Sequence, residues 1–369
     1  MEIQMNSKPK VVVYCPINTH SGYGGRSRDI VKSLLKSNKY DVKVISCAWG
    51  GTPSGFLNPN NPEHKELLDC ILPNNQLTYK PNLWIMITVA GEMQCVGDVN
   101  WLITAGIETT ITPADFIEGC NRADLVLVSS EHSKKYLLES KFEKRENGTN
   151  RLLEVVECNT PVEVLFEGLD TEIYKKLDNV NFNLDYINEE FCFLYTGHWL
   201  QGALGADRKD TGMLVKTFLE TFRNKKSKPA LLLKTSCGNY SITDREQIID
   251  KIEAIKNEIT GDLPNIYLLH GGLTDEEMNE LYNHPKVKAM VNFTHGEGYG
   301  RPLIEFSITQ KPIITSGWSG QLDFLDRNFS ILLPGNLTNV HESAANQFIL
   351  RESQWFTVDY KMASITLQN

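Results

Sequence analysis

Gly296-Glu297-Gly298-Tyr299-Gly300-Arg301-Pro302-Leu303-Ile304-Glu305, followed by Lys311-Pro312-Ile313-Ile314-Thr315-Ser316-Gly317, is the most informative stretch of this chain. Pro302 suits the first turn of a helix, where no backbone N–H is needed, so we predict a helix from Pro302 through Ile308. Exposed amides and the positive end of the helix dipole form an anion site, and glycines let a phosphate approach closely. The apolar runs Ala289–Phe293 and Pro312–Thr315 predict flanking strands, and open parallel sheets bind ligands where such strands end.

Two carboxylates flank this glycine-rich turn. Glu297 precedes the helix and Glu305 lies inside it, roughly 5 Å along its axis, so they fit opposite sides of a bound diphosphate. Ionised carboxylates accept hydrogen bonds from hydroxyls, which suits the ribose and the sugar of a nucleoside-diphosphate sugar. Two glutamates alone are more often solvated ends of a surface helix, but the strands and the turn favour a ligand site. We therefore expect a glycosyltransferase whose donor site includes Gly298, Tyr299 and Gly300.

This segment resembles the donor-binding motif of the retaining GT-B glycosyltransferases, family 4 in particular. Three further parts of the chain resemble the same family in the expected order. The first is Val11–Tyr14 with His20–Ser27, the second is Val162–Tyr174, and the third is Phe191–Gly197 with Asp207–Asp210. The resemblance implies two Rossmann-like α/β domains that face a cleft. It also implies retaining transfer of a hexosyl or pentosyl group from a nucleoside-diphosphate sugar to an acceptor hydroxyl.

Strands that alternate with helical stretches favour parallel sheets in two domains. The first domain has predicted strands at Lys10–Cys15, Val42–Cys47, Leu83–Val89, Leu102–Ala105 and Leu125–Ser129. The second has them at Phe191–Thr196, Ala230–Thr235, Asn265–His270, Ala289–Phe293 and Pro312–Thr315. We predict an acceptor-side domain at 1–178, a linker at Lys175–Glu190 and a nucleotide-sugar domain at 190–340. A tail at 341–369 is expected to return to the first domain, as the resemblance implies.

The resemblance also assigns roles to the candidate catalytic residues. Arg208 and Lys209 would bind the diphosphate and stabilise the negative charge that collects on it as it leaves. Glu297 would hold the transferred sugar, and Glu305 the ribose. Glu108 would take part of the role of a histidine that the family often has on the acceptor side.

The resemblance extends to a glycine-rich stretch near the N-terminus. Gly24 and Gly25 would lie in a loop before a helix at Ser27–Leu35 and contact donor phosphate or acceptor. A dinucleotide-binding fold would require a third glycine where Ser27 stands. A nicotinamide cofactor is therefore not indicated.

Three departures from the family pattern affect the donor site. His198 follows Gly197 where the family often has arginine, and Leu200–Ala206 is inserted before the cations. Arg301 stands where an apolar residue is common, beside the predicted phosphate site. The diphosphate contacts in this chain therefore differ in part from those of the family.

Composition narrows the function further. A net charge of −9 in 369 residues argues against a general polyanion binder, and eight scattered cysteines without a Cys-x-x-Cys pair indicate free thiols. No Asp-x-Asp tripeptide occurs, so we predict no essential metal and no cofactor beyond the donor substrate. Because there is neither a signal-peptide core nor an apolar run of membrane-spanning length, we expect a cytoplasmic protein, with peripheral membrane contact left open.

The acceptor and the rival functions stay open at this point. The acceptor is a glycan, a lipid-linked molecule or another hydroxyl compound, and a nucleic acid enters only as an acceptor, through glycosylation of modified DNA bases. A nucleotide-sugar epimerase or hydrolase, or a non-catalytic nucleotide-sugar-binding protein, would share the same donor site. The sequence does not determine the donor base, the sugar or the oligomeric state.

Overall fold

The computed structural model describes residues 8–369. The chain divides into two compact units, the first comprising residues up to Gly106 and Thr112–Gly168, the second Ile107–Ile111 and Leu169–Asn369. No helix among the described residues is both long and apolar enough to cross a membrane.

The first unit is built on a parallel sheet. Its strands are β1 (Lys10–Cys15), β2 (Asp41–Ser46), β3 (Leu83–Ile87), β4 (Val99–Thr104), β5 (Leu125–Val128), β6 (Phe142–Arg145), β7 (Leu152–Val156) and β8 (Val162–Val164). Its helices are α1 (Gly22–Ser37), α2 (Lys65–Cys70), α3 (Ala114–Cys120) and α4 (Glu131–Glu139). Six strands form the sheet in the order β2-β1-β3-β4-β5-β8, and β6 and β7 pair as a separate hairpin. The buried valines and isoleucines of β1 and β3 form its core.

The second unit has a second parallel sheet. Its strands are β9 (Cys192–His198), β10 (Ala230–Ser236), β11 (Ile266–Leu269), β12 (Val287–Asn292), β13 (Ile313–Ser316), β14 (Ile331–Leu333), β15 (Gly335–Asn339) and β16 (Gln354–Val358). Its helices are α5 (Thr211–Phe222), α6 (Ile242–Asn257), α7 (Asp275–Asn283), α8 (Arg301–Ser307) and α9 (Tyr360–Gln368). The sheet order is β11-β10-β9-β12-β13-β14, with β15 and β16 paired apart from it.

The order of this second sheet determines where a ligand is expected. The chain builds outward from β9 through β10 and β11, then returns to add β12 on the other side of β9. Such a reversal leaves a crevice at the carboxyl ends of the two central strands, which is where open α/β sheets bind ligands. The loops that follow β9 and β12 are therefore the candidate binding loops.

The prediction of two α/β domains, each with a parallel sheet, is confirmed. The predicted linker Lys175–Glu190 is not a free connector, because Leu184 and Ile187 are buried in the core of the second unit. The tail at 341–369 is part of the second unit, as is the segment Ile107–Ile111 to which it is hydrogen-bonded, and a return of the tail to the first domain stays a prediction. Its last helix, α9, buries Ala363 and Leu367 in a core cluster that also contains residues of α5.

Candidate active site

The loops after β9 and β12 carry three of the four predicted catalytic side chains. Arg208 and Lys209 lie just before α5, and Glu297 lies before α8. Helix α8 begins at Arg301, one residue earlier than predicted, after Gly300 in a left-handed conformation (φ 102°). The fold thus brings the two cations and this carboxylate, nearly ninety residues apart in sequence, to the point where the sheet reverses its strand order.

The turn at 296–300 is held by backbone contacts that only glycine permits. The Glu297 N–H donates to Ser319 Oγ (2.9 Å), and the Gly320 N–H donates to the Glu297 carbonyl (3.0 Å). A Cβ on Gly320 would lie 2.3 Å from the Gly298 carbonyl oxygen, and one on Gly296 would lie 2.1 Å from that of Glu108. These close approaches fix the direction in which the Glu297 side chain leaves the turn.

Lys209 and Glu297 form a buried ion pair. The Lys209 ammonium donates to both carboxylate oxygens of Glu297, and the two side chains are only 11% and 8% exposed. Burial lowers the pKa of Lys209, and the Glu297 carboxylate opposes that shift. A cation and a carboxylate are thereby placed side by side in the loops after β9 and β12.

Arg208 is paired with Glu108, at 2.9 Å between Nη1 and Oε1. Burial acts to lower the pKa of Arg208, but the Glu108 and Glu297 carboxylates together raise it above its usual value. Glu108 reaches this position because Ile107–Ile111 belongs to the second unit, where Thr110 exchanges hydrogen bonds with Gln354. Glu108 therefore lies beside Arg208 in this structure.

Glu305 is buried on α8 and held by two side chains. Arg301 Nε donates to Oε1 (2.9 Å) and the Tyr282 hydroxyl donates to Oε2 (3.1 Å). Burial raises the pKa of Glu305 to about 7, against the lowering effect of Arg301. Each carboxylate oxygen keeps one lone pair, so the group can still accept two hydroxyl donors.

His198 ends β9 where the resemblance would place an arginine. Its Nδ1 lies 3.1 Å from Ser236 Oγ, and burial together with Arg208 and Lys209 lowers its pKa to about 4. The ring is therefore neutral at neutral pH. It offers a hydrogen bond in place of the positive charge of an arginine.

The predicted loop at Gly24 and Gly25 is helical, and contact of these glycines and of Tyr299 with a donor stays a prediction. Gly24 and Gly25 do not lie in a loop, because α1 already begins at Gly22 with Ser21 as its cap. Gly24 is required there by a close approach, since a Cβ would lie 2.4 Å from the Thr19 carbonyl oxygen. The Tyr299 ring is buried and packs on Phe324 at 4.9 Å between ring centroids.

Gly24→Ala is expected to lower the free energy of unfolding by about 1–3 kcal/mol, because the added methyl overpacks the start of α1. Gly22→Ala is the matched control, since nothing lies within 4 Å of its Cβ position. That control should be neutral or stabilising by up to about 1 kcal/mol. Urea unfolding of the two variants measures both effects, and equal stabilities would contradict this role of Gly24.

Several residues of the site were not predicted as such. Ser319 and Tyr282 contact Glu297 and Glu305, and the Arg301–Glu305 pair was missed although its i, i+4 spacing on a helix indicates it. Within residues 8–369, no three His, Cys, Asp or Glu side chains are grouped to hold a metal ion. Metal independence stays a prediction.

Solved structures resemble the whole chain. Sucrose-phosphate synthase from Thermosynechococcus elongatus matches with a TM-score of 0.61 and 13% identity, over 98% of this chain and 89% of its own. OtsA, a trehalose-6-phosphate synthase, matches with a TM-score of 0.56 and 12% identity, over 97% of this chain and 90% of its own. Anabaena HepE, solved in complex with UDP and glucose, matches with a TM-score of 0.55 and 12% identity, over 88% of this chain and 85% of its own. The fold is GT-B. No protein-family model and no curated protein sequence matches the chain.

Proposed function

We propose that this protein is a retaining, metal-independent glycosyltransferase of the family 4 type that uses a nucleoside-diphosphate sugar as donor. The observation that carries the proposal is the Lys209–Glu297 pair beside Arg208, at the strand-order reversal of a GT-B fold. HepE, solved in complex with UDP and glucose, and the trehalose-6-phosphate synthase OtsA share this fold, which supports a nucleoside-diphosphate sugar as the substrate class here.

In the proposed mechanism, cationic side chains stabilise the negative charge that develops on the donor diphosphate. As the bond from the anomeric carbon to the phosphate oxygen breaks, negative charge collects on the diphosphate, and Arg208 and Lys209 stabilise it. Glu297 orients the transferred sugar and Glu305 the ribose. The acceptor oxygen bonds to the anomeric carbon from the same face, and its proton passes to the departing phosphate oxygen. No side-chain base is required.

A transfer assay tests this function. The protein is incubated with each of a panel of nucleoside-diphosphate sugars and a library of hydroxyl acceptors, and products are identified by mass spectrometry and the anomeric configuration by NMR. We expect a glycoside with the configuration of the donor. Free sugar or an isomerised donor formed without acceptor would instead indicate a hydrolase or an epimerase.

Glu108→Gln is expected to bind nucleoside diphosphate about three- to tenfold more tightly, because Glu108 no longer competes with phosphate for Arg208. If Glu108 also acts on the acceptor side, as proposed, kcat falls in the same variant. Isothermal titration and steady-state kinetics separate the two effects.

Glu163→Gln controls for the change in net charge. It removes the same charge from the Lys134–Glu163 ion pair of the first unit. The competition is refuted if Glu108→Gln binds nucleoside diphosphate no better than Glu163→Gln does.

A further inference from the structure

The two loops of the site are joined to each other through their backbones. The His295 N–H donates to the Arg208 carbonyl (3.0 Å), so the loop before α8 holds the backbone of Arg208. In turn, the His295 carbonyl accepts from the Phe356 N–H (2.9 Å) on β16. The C-terminal segment 354–360 is therefore bonded to the site through His295.

The His295 side chain makes a second connection between the same parts. Its ring is fully buried and stacks on Trp355, with 4.2 Å between centroids and 10° between planes. Nδ1 lies 2.7 Å from the Phe356 carbonyl oxygen, and Nε2 lies 3.2 Å from that of Gly205, in the loop that leads to Arg208. One imidazole ring thus lies between the C-terminal segment and the cation loop and, when neutral, donates its single N–H to one of these two carbonyls.

Tyr360 makes a third connection at the other side of the cations. Its hydroxyl donates to Asp210 Oδ2 at 2.6 Å. Asp210 directly follows Lys209, is buried, and adopts a left-handed backbone conformation (φ 51°) that non-glycine residues rarely take. Such a conformation persists only where surrounding contacts enforce it, and the Tyr360 hydroxyl is one such contact.

We propose that segment 354–360 is a brace that positions Arg208 and Lys209 for the donor diphosphate. The cations are held from both sides, by His295 at Arg208 and by Tyr360 at Asp210, while neither bracing side chain is needed to touch the donor. His295 and Tyr360 are accordingly positioning residues. This inference rests on the proposed function for its ligand, and on the contacts of the free protein for its geometry.

Tyr360→Phe tests the brace, because it removes one hydroxyl and keeps the ring. We expect the Kd for a nucleoside diphosphate to rise about tenfold while the Kd for the unphosphorylated nucleoside stays unchanged. A change in general stability would weaken both ligands alike. The panel of nucleosides and diphosphates is titrated calorimetrically against wild type and variant.

Ser364→Ala is the matched control. It removes a hydrogen bond of the same kind from α9, the one between Thr221 Oγ1 and Ser364 Oγ (2.8 Å), without touching the cation loop. The brace is overturned if Tyr360→Phe leaves diphosphate affinity unchanged, or if Ser364→Ala weakens it equally. If Tyr360→Phe does not fold, Tyr360→Phe with Asp210→Asn takes its place, since it also removes the buried carboxylate.

Amide hydrogen exchange tests the brace independently of the proposed function. In the ligand-free protein, Tyr360→Phe should speed exchange in residues 203–210, and Ser364→Ala should not. If wild type binds no nucleoside diphosphate, the proposed function fails while this measurement still decides whether the loop is braced. Equal exchange of that loop in both variants would refute the brace on its own.

Discussion

Arg208→Ala with Lys209→Ala is expected to lose about 10³-fold or more of the transfer rate, because removing a single charge-stabilising donor already costs about 10²–10³-fold. The loss should fall on kcat as well as on donor KM, since the negative charge is larger in the transition state than in the bound donor. Steady-state kinetics with the donor identified in the transfer assay measures it.

The double alanine variant needs a control for its loss of folding stability. Removing Lys209 alone leaves the Glu297 carboxylate buried without its partner, which costs about 3–5 kcal/mol of stability. Lys209→Met combined with Glu297→Gln neutralises both members and should retain more stability than the double alanine variant. Near-wild-type turnover in a folded double alanine variant would remove the cations from the mechanism.

Glu305→Gln is expected to raise the donor KM about 10- to 100-fold, because charge-assisted hydrogen bonds to the ribose are lost. Burial raises the pKa of Glu305 to about 7, so the carboxylate is ionised above that pH and protonated below it. Wild-type affinity for the donor should therefore fall as pH drops below 7, up to about tenfold per pH unit. Glu305→Gln should show no such dependence.

The probe for this pH dependence is the intact nucleoside-diphosphate sugar. It lacks the terminal phosphate ionisation, with a pKa near 6, that a free diphosphate would add. Tyr282→Phe is the companion variant, because it removes one hydrogen bond from Glu305 and keeps the charge. The ribose assignment is wrong if the pH profiles of wild type and Glu305→Gln coincide.

The strands of both central sheets could be predicted because a buried parallel strand is a short, nearly continuous apolar run. The runs at Val11–Val13 and Leu231–Leu233 are examples, and both are fully buried. β8 and β14 were missed, since each has three residues and Ile331 of β14 is 44% exposed. Edge strands this short leave too little pattern to detect.

The site was predictable only in part. The spacing of Glu297 and Glu305 around Pro302 follows from helix geometry, but Lys209 meets Glu297 across 88 residues, so it depended on a family resemblance. Gly24 was misinterpreted because a glycine needed for close packing inside a helix has the same sequence pattern as a glycine in a loop. The contacts of His295 with segment 354–360 depend on tertiary structure alone.

The most direct test of the account is a calorimetric titration of wild type and Arg208→Ala/Lys209→Ala with a panel of nucleoside diphosphates and their sugars. We predict that at least one nucleoside diphosphate and its sugar bind wild type, and that the double variant loses most of that affinity while its affinity for the free nucleoside is kept. Absence of binding by every member of the panel, or equal binding by both proteins, would contradict a diphosphate site at Arg208 and Lys209.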